Sequence, residues 1–169
     1  MRKVARDRLV KEIAFFGIAL GIITLDQVSK YLVKTHVALG QFVPETGFFR
    51  ITHTTNTGGA FGIFANQAFL ITLVAIAGVA TILIYVRYAP LNRMPVRVAL
   101  GLVLGGTVGN LIDRLAFGSV VDFIDIGVSH YRWATFNIAD SALVVGIVVL
   151  LYFLVFQFGK GETLERGSG

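Results

Sequence analysis

The sequence predicts an all-α membrane protein with four transmembrane helices, a small extracytoplasmic β-cradle and a short outer-face segment between helices 3 and 4. Of its 169 residues, 55% are hydrophobic and only 15% are charged, and the mean hydropathy is +0.75. Soluble domains are typically about half apolar and about a quarter charged. Several uncharged apolar runs are long enough to cross a bilayer. We therefore expect residues 1–169 to form a single integral membrane domain.

The first helix is predicted over about residues 13–33. A basic segment from Met1 to Lys11 precedes the apolar run Ile13 to Leu25, and amphipathic sequence extends this run through Asp26 and Lys30. A cleaved signal peptide is the alternative, but no small-x-small cleavage site closes the run, and polar residues interrupt it where a cleavage region would begin. A first transmembrane helix therefore fits better.

Three further helices are predicted over about residues 67–87, 96–114 and 138–158. The second is uncharged and apolar from Phe69 to Val86, and at about 1.5 Å per residue it can cross about 30 Å of hydrocarbon. The third is glycine-rich and ends at Asp113 and Arg114, so it can cross only if these side chains face protein or water. The fourth holds Asp140 near its beginning.

The distribution of Lys and Arg predicts the orientation of these helices. The N-terminal segment carries five of them, the loop from Arg87 to Arg97 three and the C-terminal tail two, against five spread over the two opposite connections. Short cytoplasmic loops carry an excess of Lys and Arg. We therefore expect both termini to be cytoplasmic.

The connection between the first two helices predicts the β-cradle, at about residues 40–64. It combines Pro44 and Gly47 with a β-prone run from Phe48 to Thr52 and a later pair, Gly58-Gly59. Such a pattern is typical of short strands joined by turns.

Two other segments lie outside the predicted helices. The sequence pattern of residues 116–136 is similar to that of the cradle region but less uniform. Tyr131 and Trp133 suit a membrane interface. Residues 160–169 are predicted to form a flexible tail.

Composition excludes several kinds of chemistry. The chain has no cysteine, which excludes disulfide scaffolds, thiol nucleophiles, iron–sulfur clusters and thiolate zinc sites. His36, His53 and His130 lie in different outer loops without a metal-ligand spacing, and neither a P-loop nor a nucleophile elbow is present. The net charge of +5 does not indicate a nucleic-acid partner, because the basic residues stand at segment ends. We expect neither a metal nor a cofactor.

Ionisable residues within or beside the predicted spans are the functional candidates, because a charge inside a bilayer costs several kcal/mol unless it is paired or hydrated. Six residues qualify: Asp26, Asp113, Arg114, Asp122, Asp125 and Asp140. On the predicted topology, all six lie at or near the extracytoplasmic ends of the helices. Such convergence is what a site at the outer membrane surface requires.

Polar residues of the third and fourth helices repeat one spacing. Residues at i, i+3 and i+4 share a helix face, and two such sets are Asn110, Asp113, Arg114 and Asn137, Asp140, Ser141. Asp113 and Arg114 form either a structural ion pair that clamps the helix end, or a site where Arg114 holds a substrate carbonyl or a lipid headgroup. Asp26 and Lys30, at i and i+4, are consistent with a self-neutralised helix end.

Glycines repeat at intervals of four residues on two of the predicted helices. Gly17 and Gly21 form one such series, and Gly101, Gly105 and Gly109 form another. Small residues at this spacing let membrane helices approach closely. We therefore predict that both series are helix contacts.

Two carboxylates are the strongest chemical hypothesis. Asp122 follows Val120-Val121, and Asp140 lies 18 residues later, so a hairpin-like excursion of the chain can bring them together. If they meet, they share one proton, because two carboxylates in contact cannot both ionise cheaply. The ionised one can deprotonate a water that attacks a carbonyl, while the protonated one polarises that carbonyl and later protonates the leaving amine.

Five blocks of this sequence resemble the lipoprotein signal peptidases (signal peptidase II) of the bacterial cytoplasmic membrane. In chain order they are Asp26 to Lys30, Asn56 to Gly62, Gly105 to Arg114, Val120 to Asp125 and Phe136 to Ser141. Each block alone is weakly specific, whereas five in family order on four predicted spans are highly specific. Gly59 stands where the family has alanine, which is a small-for-small change.

The resemblance implies a catalytic dyad on Asp122 and Asp140. It also implies supporting polar residues that orient the dyad and hold the substrate backbone, on Asp26, Asn56, Asn110, Asp113, Arg114 and Asn137. Asp125 is left out of this set, because other members do not all carry an acid there.

The implied enzyme is an intramembrane aspartic endopeptidase of the bacterial inner membrane. Its implied substrate is a prolipoprotein whose lipobox Cys carries diacylglycerol, and it cuts on the N-terminal side of that Cys. We expect it to act as a monomer among membrane lipids, with its active site toward the extracytoplasmic face.

Two other functions remain as alternatives. A small proton or cation transporter would use the intramembrane acids for ion passage, but it predicts acids throughout the membrane depth rather than near one face. A non-enzymatic membrane assembly subunit would use the glycine faces as its interface, and it would tolerate replacement of the aspartates by asparagine.

Overall fold

The computed structural model describes residues 2–57, 67–88 and 93–158. Its elements in chain order are α1 (Arg2–His36), β1 (Phe42–Val43), β2 (Phe49–Asn56), α2 (Ala68–Tyr88), α3 (Met94–Phe117), β3 (Val120–Val128), β4 (Tyr131–Arg132) and α4 (Ile138–Phe153), which continues into a π-helical turn (Leu154–Phe158). The end of the predicted cradle, residues 58–64, and the predicted tail, residues 160–169, lie outside the described residues.

Three helices in the described part of the chain are long and apolar enough to cross a membrane: Ala68–Tyr88, Met94–Phe117 and Ile138–Phe156. They coincide with the second, third and fourth predicted helices. No residue of α2 is buried, and Phe69 and Val74 are 77% and 64% exposed. An apolar helix that leaves such side chains uncovered is suited to lipid rather than to water.

The ends of two helices differ from the prediction. α1 begins at Arg2 rather than near Ile13 and continues to His36. The added N-terminal residues are mostly Arg, Lys, Leu and Ala, which are strong helix formers, so the helix does not need to begin with the apolar run. α3 continues to Phe117, so Asp113 and Arg114 lie within the helix rather than at its end.

Packing of the helices centres on α3, which contacts both α1 and α4. A Cβ atom at Gly101 would lie 2.8 Å from the carbonyl oxygen of Phe15, and Gly105 approaches α1 in the same way. These glycines therefore let α1 and α3 approach closely. The predicted contact at Gly17 and Gly21 is wrong, because a Cβ atom at either position would meet no described atom within 4 Å.

The strands form one antiparallel sheet in the order β1-β2-β3-β4. The expectation of only a short outer-face segment between the third and fourth helices is therefore corrected, because this segment contributes β3, the longest strand. The first four residues of β3, Val120 to Phe123, are all buried. A strand covered on both faces lacks the alternation that identifies a half-buried strand in sequence.

Candidate active site

Asp122 enters the site through the turn that ends α3. Gly118 follows the helix with a φ of 71°, and its N–H donates to the carbonyl of Arg114 at 3.0 Å. This left-handed conformation favours glycine and redirects the chain into β3. The strand then holds Asp122 opposite Thr54 of β2, where Asp122 is only 2% exposed.

Asp140 enters the site in the first turn of α4, which Asn137 caps. The Oδ1 atom of Asn137 accepts the backbone N–H of Asp140 at 2.9 Å, and Oδ2 of Asp140 accepts the N–H of Asn137 at 3.3 Å. This reciprocal pair is a capping box in which Asn and Asp replace the usual Ser or Thr and Glu or Gln. The cap holds the carboxylate at a helix N-terminus, whose partial positive charge favours an anion.

Three asparagine amides bind the two carboxylates. Asn56 and Asn137 donate to the two oxygens of Asp122 at 3.0 and 2.7 Å, and Asn110 donates to Oδ1 of Asp140 at 2.7 Å. Asn137 also donates to the Oδ1 atom of Asn110 at 3.2 Å. Asn137 and Asn110 therefore form a bridge of hydrogen bonds from Asp122 to Asp140.

Burial raises the pKa of Asp122, and the negative charge of Asp140 adds to the increase. Hydrogen bonds from Asn56 and Asn137, together with the positive charge of Lys30, act in the opposite direction. The net effect raises the pKa of Asp122 from 3.8 to about 6. A carboxylate with this pKa is mostly ionised at neutral pH and is still basic enough to take a proton from water.

A buried charge cluster lies next to these amides, centred on Lys30. Its Nζ atom lies 2.8 Å from Oδ2 of Asp26, 3.0 Å from Oδ2 of Asp113 and 3.0 Å from Oδ1 of Asn110. Gln27 donates to both Asp26 and Asp113, at 3.2 and 3.0 Å. The cluster therefore ties α1 to α3 beside the two candidate aspartates.

Arg114 and an apolar cavity complete the site. The guanidinium of Arg114 interacts electrostatically with Asp140 and Asp122. It lines a cavity of about 1290 Å³ that both aspartates also line. The cavity is bounded by residues of β2, α2, α3 and α4 and by the segment that precedes α4, among them Asn56, Leu70, Thr107, Phe136 and Val144.

Asp125 belongs to a different cluster, which joins β2, β3 and β4 of the sheet. Arg50 donates to it at 2.6 Å and Arg132 donates to both of its oxygens at 2.9 Å. Although burial alone would raise the pKa of Asp125, the hydrogen bonds and charges of the two arginines lower it below its ordinary value. Asp125 is thus held as the anion of a structural ion-pair cluster in the sheet.

The structure brings the predicted site residues together around one centre. Asp122, Asp140 and the three asparagines share hydrogen bonds, Asp26 and Asp113 share Lys30, and Arg114 lines the same cavity. Asp113 forms its close ion pair with Lys30, at 3.0 Å, and interacts with Arg114 only electrostatically. The predicted pair of Asp26 with Lys30 is present, but it is one part of a larger network.

Sequence reasoning missed the contributions of Lys30 and Gln27 to the site. Both lie in the Asp26 to Lys30 block, whose resemblance to the family could have identified them as site residues. Helical spacing related Lys30 only to Asp26, because Asn110 and Asp113 are on another helix. Their contacts with Lys30 depend on the packing of α1 against α3.

Comparisons with known proteins place this chain within a known family. A family model described as signal peptidase (SPase) II matches residues 18–156, which include every residue of the site. A lipoprotein signal peptidase of Moorella thermoacetica is 40% identical over 147 residues, covering 86% of this chain and 95% of that protein. One from Bacillus subtilis (strain 168) is 41% identical over 147 residues, covering 86% and 96%.

A solved structure described as a bacterial membrane enzyme has the same fold. It superposes with a TM-score of 0.77 at 31% identity, and the match covers 83% of this chain and 87% of that one. The family model extends across the helices and the sheet that carry the aspartates and asparagines. The chain therefore belongs to the signal peptidase II family of lipoprotein signal peptidases.

Proposed function

We propose that this protein removes signal peptides from prolipoproteins by aspartic peptidase chemistry, with Asp122 and Asp140 as the catalytic dyad. Membership of the signal peptidase II family supports a hydrolase that acts on prolipoproteins. One observation carries the aspartic mechanism: a buried carboxylate and a half-buried one, from different elements, are joined by asparagine amides at the wall of one cavity.

The dyad shares one proton. The ionised carboxylate takes a proton from a water molecule as the water oxygen attacks the scissile carbonyl carbon. The protonated carboxyl donates a hydrogen bond to the carbonyl oxygen, where negative charge develops. Collapse of the tetrahedral intermediate breaks the C–N bond, and the leaving amine takes a proton from the dyad. The raised pKa of Asp122 supports this exchange near neutral pH.

The supporting residues have distinct roles in this reaction. Asn56, Asn110 and Asn137 hold the carboxylate planes through charge-assisted hydrogen bonds. Arg114 faces the cavity next to the dyad, where its fork of N–H donors can hold the substrate backbone.

The substrate is a prolipoprotein whose cysteine already carries diacylglycerol, and the cut falls on the N-terminal side of that cysteine. The cavity suits such a molecule, because the polar groups of the dyad and its asparagines line it together with apolar residues of α2 and α4. These apolar residues are Leu70, Ile71, Val74, Leu143, Val144 and Val145. The acyl chains stay in the bilayer between α2 and α4 while the scissile bond reaches the aspartates.

All four helices cross the bacterial cytoplasmic membrane, with both termini in the cytoplasm and the dyad toward the outer face. α1 carries Asp26 and Lys30, which are 0% and 1% exposed and paired with each other at 2.8 Å. Paired and covered by α3, these charges do not meet lipid, so they do not prevent α1 from spanning.

Two alternatives compete with this proposal. A transporter would need charged groups along a path through the membrane, whereas the acids of this site, Asp26, Asp113, Asp122 and Asp140, gather around one end of the bundle. An assembly subunit would keep its function when the aspartates are replaced by asparagine, because its interface would not use their charge.

A gel-shift assay in detergent micelles tests the proposal. Diacylglyceryl-modified prolipoprotein and its unlipidated counterpart are incubated with wild type, Asp122→Asn and Asp140→Asn, with Asp7→Asn as an exposed control that makes the same chemical change. We expect cleavage of the lipidated form by wild type and Asp7→Asn only. Intact lipidated substrate with folded wild type in suitable lipid would refute the peptidase function, and activity of either dyad variant would refute the aspartic mechanism.

A further inference from the structure

Lys30 is saturated by partners that belong to two different helices. The side chain is 1% exposed, and its ammonium group has three protons. Its three partners, at 2.8 to 3.0 Å, are the carboxylates of Asp26 and Asp113 and the amide oxygen of Asn110. Every donor of Lys30 is therefore used within the protein.

Each of the two carboxylates continues to the backbone beside a dyad residue. Asp26 accepts the N–H of Ala139 at 3.0 Å, and Ala139 immediately precedes Asp140. Asp113 accepts the N–H of Val121 at 3.2 Å, and the next residue is Asp122. Lys30 therefore connects the backbone segments that carry Asp140 and Asp122. The connection to Asp140 runs through Asp26, and the connection to Asp122 runs through Asp113.

Lys30 also determines which way the amide of Asn110 points. A lysine ammonium has only donors, so the oxygen of the Asn110 amide must face Nζ. Its NH₂ group then faces Asp140, to which it donates at 2.7 Å. A reversed amide would lose the bond to Lys30 and would offer oxygen to a carboxylate oxygen. Lys30 therefore determines that Asn110 presents its NH₂ group, and not its oxygen, to Asp140.

We propose that Lys30 is a positioning residue that sets the relative placement of Asp122 and Asp140 through Asp26, Asp113 and Asn110. This role rests on the proposed function, since it concerns the same dyad. Lys30 lines no part of the cavity and touches no reacting atom, so its effect falls on turnover and not on substrate binding.

The simpler alternative is that Lys30 only neutralises two buried acids. Removal of one partner of a buried ion pair is costly, because it leaves an uncompensated charge. Lys30→Met therefore lowers both stability and activity under either role. A second variant, Lys30→Met with Asp26→Asn and Asp113→Asn, separates them, because it leaves no uncompensated charge and retains oxygen acceptors for Ala139 and Val121.

The experiment measures kcat and KM for a diacylglyceryl-modified prolipoprotein in micelles, together with the melting temperature of each variant. We expect the triple variant to fold, with kcat reduced roughly 100-fold and KM little changed, because a small misplacement of reacting groups has this effect on rate. Lys34→Met is the matched control. It makes the same change one helical turn later, at an exposed lysine that lies over the ring of Phe117 and should keep wild-type kcat.

The pH profile of Lys30→Met measures the effect of the Lys30 charge on Asp122, which is present whether or not Lys30 positions the dyad. The charged groups that act on Asp122 are Asp140 on α4, Arg114 on α3 and Lys30 on α1, and Lys30 is itself paired with Asp26 and Asp113. The positive charge of Lys30 lowers the pKa of Asp122, so its loss raises this pKa. Activity should therefore be lost at a higher pH when the pH is decreased. Wild-type kcat in the folded triple variant would overturn the positioning role. Failure of wild type to cleave would instead refute the proposed function.

Discussion

The side-chain amide of Asn137 donates to the carboxylate of Asp122 at 2.7 Å, and the oxygen of the same amide caps the helix that carries Asp140. One side chain thus positions both aspartates, one by direct contact and the other through the helix N-terminus. Because Asn137 is fully buried, its amide is held by these contacts and not by water. The relative placement of Asp122 and Asp140 therefore depends on the cap of α4.

Asn137→Ser separates the two roles of this residue. Serine is a good N-cap but has no amide to donate to Asp122, so we expect kcat to fall roughly 100-fold, as when one preorganised donor is removed from an active site. Both Asn137→Ser and Asn137→Ala should lose stability, because the buried acceptors of the Asn137 amide lose their donor. Asn137→Ala, which also removes the cap, should lose about 1 kcal/mol more than Asn137→Ser. Wild-type turnover in Asn137→Ser would mean that Asn137 acts only as a cap.

The pH dependence of kcat/KM should follow the raised pKa of Asp122. The base must be ionised, so activity falls as the pH decreases through about 6, where Asp122 takes up its proton. Asn56→Ala removes a hydrogen bond that favours the ionised form, so the pKa of Asp122 rises further and the acid limb moves to higher pH. The measurement is kcat/KM against pH in micelles for both proteins.

Gln41→Ala is the control for this pH series. It also removes a side-chain amide, but one that accepts the N–H of Ala38 at the end of α1, outside the cavity. Its profile should coincide with that of wild type. A shift of the acid limb to lower pH in Asn56→Ala would contradict the assignment of Asp122 as the group that titrates.

Substitution of glycine by alanine should have opposite effects at two positions in the helices. At Gly106, a Cβ atom would collide with the carbonyl of Ala139, directly before Asp140. We expect Gly106→Ala to lose about 1–3 kcal/mol of stability and to lower kcat, because α4 must shift. Gly17→Ala meets open space and should be neutral or stabilising by up to about 1 kcal/mol. The free energy of unfolding in micelles and kcat are measured for both variants. Equal effects of Gly106→Ala and Gly17→Ala would argue against the close approach of α3 and α4.

Asp125 should stabilise the sheet in a pH-dependent way. Its pKa is lowered in the folded protein by Arg132 and Arg50, so its stabilisation is present above the unfolded pKa of about 3.9 and is lost as the pH falls toward the folded value. Asp125→Asn should therefore lose about 1–3 kcal/mol at pH 7. Its difference from wild type should shrink as the pH falls below about 4. Thermal unfolding of wild type and Asp125→Asn at pH 7 and at a pH below about 4 measures this difference in stability.

Glu45→Gln provides the matched comparison for the Asp125 variant. Glu45 is exposed, and Arg50 contacts its backbone carbonyl at 3.1 Å. The same carboxylate-to-amide change should therefore leave stability unaltered at both pH values. A constant difference between wild type and Asp125→Asn across the pH range would show that the arginines do not depend on the charge of Asp125.

Local sequence properties determined much of the fold. Hydropathy and run length identified the three apolar helices, because both are properties of a continuous stretch of chain. They failed for β3, whose buried first residues show no alternation, and for the ends of α1 and α3, where charged residues continue the helix. The composition of residues 116–136 did not show which strand they would pair with.

The polar residues of the site were also visible in the sequence, and Asp122 and Asp140 were singled out by chemistry. Which groups bind them was decided only by tertiary structure. The bond from Asp26 to Ala139 joins residues 113 positions apart, and the contact of Lys30 with Asn110 joins residues 80 positions apart. Helical periodicity reports which residues share a face, but a buried charge finds its partners only when glycines let the helices approach. The sequence therefore determined which polar groups were candidates for the site, and packing decided how they meet.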